Sequence, residues 1–283
     1  MRKNQTGFSV FPGILLFSLL ILISGELISQ SRLYNAVMDN NRSRTNRYLS
    51  RGDNPNGDGN PQYIPLIGAA EVNHYRIAVI LVENNANVNI QNHIGFTPLM
   101  EATIQRNRRI MNFLINNGAD LELQANNGAT ALIVAVNANN TREARMLLEN
   151  GAEPNTTDMN GVTPLMRAMH IGDNIELVNL LVEHEAHMDE RNPEGKPVIM
   201  IYPYRNRIPA HQELIRLGAD VNIQDKEGQT PLIKAVLEGN LEMVKILIEN
   251  EADPHIKDNT GASALDYALV QMEIREYFDS LKE

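Results

Sequence analysis

The chain has no cysteine and no tryptophan, and aromatic residues fill only 5% of its 283 positions. Without cysteine there is no disulfide, no thiolate metal site and no lipid-modified cysteine anchor. Basic residues are also scarce, 25 against 35 acids, which leaves a formal net charge of −10. Nucleic-acid binders carry a basic face, so this balance argues against that class. Catalytic motifs are missing as well: there is no G-x-S-x-G, no Walker loop and no G-x-G-x-x-G. His184-Glu185-Ala186-His187 brings its second histidine one residue too early for a zinc-binding H-E-x-x-H and straddles a helix end. The expectation is therefore a non-enzymatic chain with no catalytic residue, cofactor, resident metal or small-molecule substrate.

Long apolar runs are equally rare. The one that stands out, Ile14 to Ile23, follows Arg2-Lys3 and precedes Ser24-Gly25, the layout of an export signal. Its core is about half the ~20 residues that a membrane-spanning helix needs. Residues 1–25 are expected to be a signal peptide; the alternative is an uncleaved anchor over 8–24, the one case in which a membrane is a partner. Export to a periplasm or to the medium is the corresponding expectation, and the Asn- and Ile-rich, Cys-free composition leans toward a bacterial source.

What the chain has in abundance is repetition. Gly95, Gly128, Gly161, Gly195, Gly228 and Gly261 recur every 33 or 34 residues. Four positions after each comes Leu99, Leu132, Leu165, Ile199, Leu232 or Leu265, and Leu66 and Leu33 extend the row backwards. A second row keeps step: Gly118-Ala119-Asp120, Gly151-Ala152-Glu153, Glu185-Ala186-His187, Gly218-Ala219-Asp220 and Glu251-Ala252-Asp253. Within 228–254, Thr230-Pro231 is a helix start, since the hydroxyl caps free N–H groups and proline has none to lose. Two apolar-periodic runs follow, parted by Gly239-Asn240, and neither reaches the dozen or so residues that stand alone as a helix. Such units must stack.

A 33-residue period with a T-P-L-x-x-A core resembles the ankyrin-repeat family over residues 29–283. The resemblance implies an all-α solenoid of about eight helix-turn-helix units with projecting turn fingers. The units fall at about 29–60, 62–93, 95–126, 128–159, 161–193, 195–226, 228–259 and 261–283, the first and last acting as caps. Two departures stand out. The family's histidine after T-P-L is replaced by Met100, Ile133, Met166, Met200, Ile233 and Asp266, which shifts the load to apolar packing. The helix-ending glycine is replaced by Asn85, Glu185 and Glu251, each of which costs roughly 1 kcal/mol if it keeps the left-handed conformation.

The resemblance further implies a protein partner of unknown identity, held by the fingers and the first helices. Mapped onto this chain, the candidate contact residues are His93, Ile94, Phe96, Met159, Val162, His170, Lys226 and Gln229, with Ile94, Phe96, Met159 and Val162 as the exposed apolar members. Unit six is irregular. An extra residue is assigned just before it, it lacks T-P-L, and Pro203 and Pro209 fall at helical positions. Its Tyr202, Tyr204 and Arg205 are residue types favoured at binding hot spots, so the unit is either a specialised contact or simply degenerate. The Asn54–Gly59 loop opens like a calcium loop, but Pro65 stands where the bidentate glutamate belongs, and a polar turn is expected instead.

Overall fold

The computed structural model describes residues 32–172, 174–201 and 208–281; the leader and Tyr202, Tyr204 and Arg205 lie outside them. Among the described residues there are fifteen α-helices, arranged as successive pairs, and one 3-10 turn. The pairs are α1 (Arg32–Met38) with α2 (Arg42–Ser50), α3 (Pro65–Glu71) with α4 (Tyr75–Glu83), and α5 (Pro98–Ile104) with α6 (Arg108–Asn116). Next come α7 (Ala131–Asn137) with α8 (Thr141–Glu149), and α9 (Pro164–Ile171) with α10 (Ile175–Glu183). Unit six has only the 3-10 turn Val198–Met200 before α11 (Ile208–Arg216). The series closes with α12 (Pro231–Leu237), α13 (Leu241–Glu249), α14 (Ala264–Ala268) and α15 (Met272–Ser280).

The helix starts obey local chemistry. The hydroxyls of Thr97, Thr130, Thr163 and Thr230 accept the N–H of Met100, Ile133, Met166 and Ile233 at 3.2–3.3 Å. Proline occupies the first turn of α3, α5, α9 and α12, where its missing N–H has no cost. In α14 the serine–aspartate pair Ser263 and Asp266 forms a reciprocal capping box. The residues that replace the family's histidine are core residues: Met100, Ile133, Met166, Met200 and Ile233 are all 4% exposed or less. Asn85, Glu185 and Glu251 are left-handed, with φ of 66°, 67° and 68°.

Neighbouring pairs share one continuous apolar core and two polar seams. Along the turn between first and second helices, His74 Nδ1 donates to Val37 O, Asn107 Nδ2 to Ala70 O and Asn140 Nδ2 to Thr103 O. Each reaches 37 residues back, onto the end of the preceding first helix. Along the opposite loop, Asn56, Asn89, Glu122, Asn155 and Asn222 each accept the backbone N–H of a residue in the next unit at 2.7–2.9 Å. The Asn54–Gly59 loop belongs to this seam: Asn54 and Asp58 close local turns and Asn56 holds Asn87.

The extra residue is placed by the structure in unit five, which corrects its assignment to the approach to unit six. α9 has eight residues where α5, α7 and α12 have seven, and it ends at Gly172. Asn174 accordingly bonds to Asn139 Oδ1 and Thr141 Oγ1 rather than to a carbonyl 37 residues back. A Gly-to-Gly count registers an insertion without saying where in the unit the chain absorbs it.

Both ends are finished with polar residues. Ile233 and Val244 are fully buried in unit seven, and their counterparts in unit eight are exposed Asp266 and Arg275. At the other end, exposed Arg44 stands where unit two has buried Ile77. A terminal repeat has one neighbour, so its outer face must be wettable.

Candidate functional site

Each finger is a hairpin closed by its own side chains. In the first regular one, Asn92 N–H bonds to Phe96 O, while Asn92 Oδ1 accepts the N–H of Ile94 and Phe96 at 3.1 and 2.9 Å. Asp158 does the same for Asn160 and Val162, Asp225 for Glu227 and Gln229, and Asp258 for Thr260 and Ala262. The glycine three residues on has positive φ in each, and in the inner fingers Gly95, Gly128 and Gly228 the next finger leaves no room for a side chain. A Cβ on Gly95 would lie 2.6 Å from Asn126 N, and one on Gly128 2.4 Å from Met159 N.

That closeness reflects main-chain pairing from finger to finger. Asn126 N–H bonds to Ile94 O, Met159 N–H to Asn127 O, and Asn259 N–H to Glu227 O, all at 3.0 Å. Asn126 Nδ2 also donates to His93 O, and Asn259 Nδ2 to Lys226 O. Gln91, Gln124 and Gln224 add amide bonds to the next finger. The row is thus a preformed edge whose tips need little ordering on contact.

On this edge Met159 is 76% exposed and Ile94 45%, with the Asn126–Asn127 finger between them. His93, His170 and Lys226 are exposed, and Lys226 lies 3.9 Å from Glu227. Gln229 is half-buried and bonded through its N–H to Asp225. The exposure expected of Phe96 and Val162 is corrected: both are half-buried and pack against the core. They close their hairpins immediately before Thr97 and Thr163, and the buried helix start draws them inward. The candidate surface brings Ile94, Met159, His93 and Lys226 to finger tips and leaves Phe96 and Val162 as footings.

The charges that matter structurally are those of the finger bases. Asp158 Oδ2 receives Arg167 at 2.6 Å, and Asp258 Oδ2 receives the Tyr267 hydroxyl at 2.7 Å. Burial pushes the Asp258 carboxyl up, but hydrogen bonds from Thr260, Tyr267 and Ala262 outweigh it and leave the group below the ordinary range. On the first-helix surface, burial raises Glu101, with Gln105 opposing and Glu71 adding to the rise. Tyr34 is pushed up to about 12 by burial and by Glu71, Tyr63 and Glu101. These finger-closing carboxyls and amides were not singled out from the sequence. Their signal was available, since Asn92, Asp158, Asn192, Asp225 and Asp258 each stand three residues before a repeat glycine.

Among the described residues no group of three or more His, Cys, Asp or Glu side chains is arranged to hold a metal ion. No helix among them is long and apolar enough to cross a membrane.

Stacked helix-turn-helix units with a hydrogen-bonded row of turn fingers define a repeat solenoid with an interaction edge. Family models described as ankyrin repeats match residues 33–125, 106–192 and 214–268. The chain belongs to the ankyrin-repeat family, whose repeats generally serve protein–protein binding. It is similar to the human ankyrin repeat and SOCS box protein 6, at 36% identity over 86 residues, 28% of this chain and 20% of that protein. It is similar to a putative ankyrin repeat protein, R841, of Acanthamoeba polyphaga mimivirus, at 30% over 115 residues, 38% of this chain and 19% of that one. The ADP-ribosylation factor GTPase-activating protein AGD4 of Arabidopsis thaliana matches at 43% over 56 residues, 20% of this chain and 7% of that protein. The chain thus spans a fifth or less of the length of these relatives. The crystal structure of the human ASB11 ankyrin repeat domain shares the fold, with a TM-score of 0.62 and 24% identity, covering 77% of this chain and 97% of that one.

Proposed function

We propose that this chain is a non-enzymatic recognition module that acts outside the cytoplasm and holds a protein partner on its finger edge. The observation that carries this reading is the pair of apolar tips, Ile94 and Met159, held in water on rigid, hydrogen-bonded fingers. Burying a side chain of this kind contributes about 1.5–3 kcal/mol, and a preformed edge spends little of it on ordering. His93, His170, Lys226 and Gln229 supply polar contacts around the tips, and Tyr202, Tyr204 and Arg205 are further contact candidates by residue type alone. Export is supported by the n-region and the apolar run of the leader.

The test is affinity capture from envelope and secreted fractions, run beside the double variant Ile94→Ser, Met159→Ser. A protein enriched by the native chain and lost with the variant supports the finger edge. Equal enrichment by both removes it. The destination of the chain is a separate question with its own readout. Recovery from culture medium or host cells favours a secreted effector, whereas an intact N-terminus in membranes favours an anchored spacer built on residues 8–24.

A further inference from the structure

The two halves of the chain differ in charge. Residues 32–149 carry eleven basic residues, all arginine, against ten acids, whereas residues 150–283 carry twelve against 24. The division is sharpest on the edge where first helices turn into second helices, at the far end of the helices from the fingers. The second residue of each second helix is Arg76, Arg109 and Arg142 in units two to four, and Glu176, Glu242 and Glu273 in units five, seven and eight. All six are exposed. A glutamate there complements the positive helix start and so has a local explanation, whereas an arginine opposes it and has none. Among the described residues the side chains of Arg76, Arg142, Glu242 and Glu273 make no hydrogen bond or ion pair, and the Arg109 guanidinium lies 3.9 Å over the Tyr75 ring.

The acidic half of this edge is also apolar. Leu269, Val270 and Met272, in the turn from α14 to α15, are 61%, 87% and 74% exposed. Leu237, 44% exposed, ends α12 on the same edge one unit back, and α12 packs on α14. Asp266 and Arg275 make the end face of the last unit polar but leave this edge apolar. Folding has no need of such a group in water, and exposed apolar side chains flanked by charge have the anatomy of a contact surface.

The surface that complements this patch is the basic half of the same edge. Its arginines are opposite in sign to Glu242 and Glu273, and their stems, with the Tyr75 ring, offer apolar area. One chain cannot close its two halves on each other, because units five and six lie between them and each layer adds roughly 8–10 Å. Two chains can. We propose that the turn edge is the contact between two copies of this chain, set antiparallel about a two-fold axis. Units two and three of each copy then meet units eight and seven of the other, with Arg76 and Arg109 facing Glu273 and Glu242 around Val270 and Met272. Nearer the axis, Glu176 is already paired within its own chain to Arg145 at 3.3 Å, so two bare carboxylates do not oppose each other. Such a contact is isologous and closes at two copies. It leaves both finger edges open, so the dimer offers a multivalent partner two sites.

Charge reversal tests this on the purified full chain. Arg76→Glu with Arg109→Glu makes both halves of the edge acidic, and Glu242→Arg with Glu273→Arg makes both basic. In sedimentation velocity the native chain is expected as a dimer, each reversed variant alone as a monomer, and an equimolar mixture of the two as a dimer again. Val270→Ser with Met272→Ser is expected to be monomeric with native helix content. Every variant keeps residues 1–31, so association through the leader is common to all and does not give this pattern. A monomeric native chain overturns the proposal, as does a dimer that survives either reversal or the serine substitutions. So does a mixture that stays monomeric while both reversed variants keep native helix content.

Discussion

The Tyr267 hydroxyl donates to Asp258 Oδ2 across nine residues, joining the base of the last finger to the first helix behind it. Arg167 does the same for Asp158. In unit seven the residue nine after Asp225 is Lys234, and Asp225 Oδ2 is buried without a partner. Tyr267→Phe is expected to destabilise the chain by about 1–3 kcal/mol, since it strands a buried acceptor. Lys234→Arg is expected to stabilise it by supplying the missing fork. Urea midpoints at constant slope measure both, and a stable Tyr267→Phe chain would mean the brace carries no load.

Backbone conformation gives a second pair of opposite signs. Gly128 has φ of 79° and its absent Cβ would sit 2.4 Å from Met159 N, so Gly128→Ala is expected to cost well over the ~1–2 kcal/mol of left-handed strain alone. Glu251 has φ of 68° in open solvent, and Glu251→Gly is expected to recover about 1–2 kcal/mol. Thermal midpoints of the two variants should move in opposite directions.

Glu101 supplies a pH dependence with a definite sign. Its carboxyl is raised by burial, partly relieved by Gln105 and reinforced by Glu71. The folded chain therefore holds this proton more tightly than the unfolded chain does. Stability falls as pH rises from the unfolded carboxylate pKa of 4.5 through the raised folded value. Glu101→Gln is expected to be more stable than the native chain at neutral pH and to lose that advantage in acid. Denaturation at pH 4 and pH 7 measures the difference.

The surface pair separates binding from folding. Ile94→Ser and Met159→Ser alter exposed tips whose backbone bonds remain, so the thermal midpoint should stay within roughly 0.5 kcal/mol equivalent of native. A large loss of stability would show that these side chains support the fingers and are not free for a partner.

Much of this architecture was legible because the physics repeats with the residues. The T-P-L starts, the glycine phase and the left-handed Asn85, Glu185 and Glu251 all depend on local chemistry that one unit contains. Phe96 and Val162 were read as exposed because position alone marks a finger residue, whereas their burial comes from contact with the core of the helix pair behind. The insertion in unit five was misplaced because it was read from the glycine row alone; the second row, which steps 34 residues from Gly151 to Glu185 and 33 from there to Gly218, already confines it to 161–185. The seams were invisible for a separate reason: an asparagine bond that spans 31 or 37 residues has no local signature beyond the letter N.

Asp266 and Arg275, exposed where unit seven buries Ile233 and Val244, have a consequence beyond solubility. A stack of like units presents, at each end, a face shaped to receive another copy of itself. Joining such faces head to tail is a heterologous contact, which propagates as a fibre wherever the rotation does not close a ring. Charging the terminal layer, together with Arg44 at the opposite end, makes every such junction strip water from charged groups, a cost that apolar side chains would not carry. Restoring isoleucine and valine at Asp266 and Arg275 should therefore favour stacking of one copy of this chain on another.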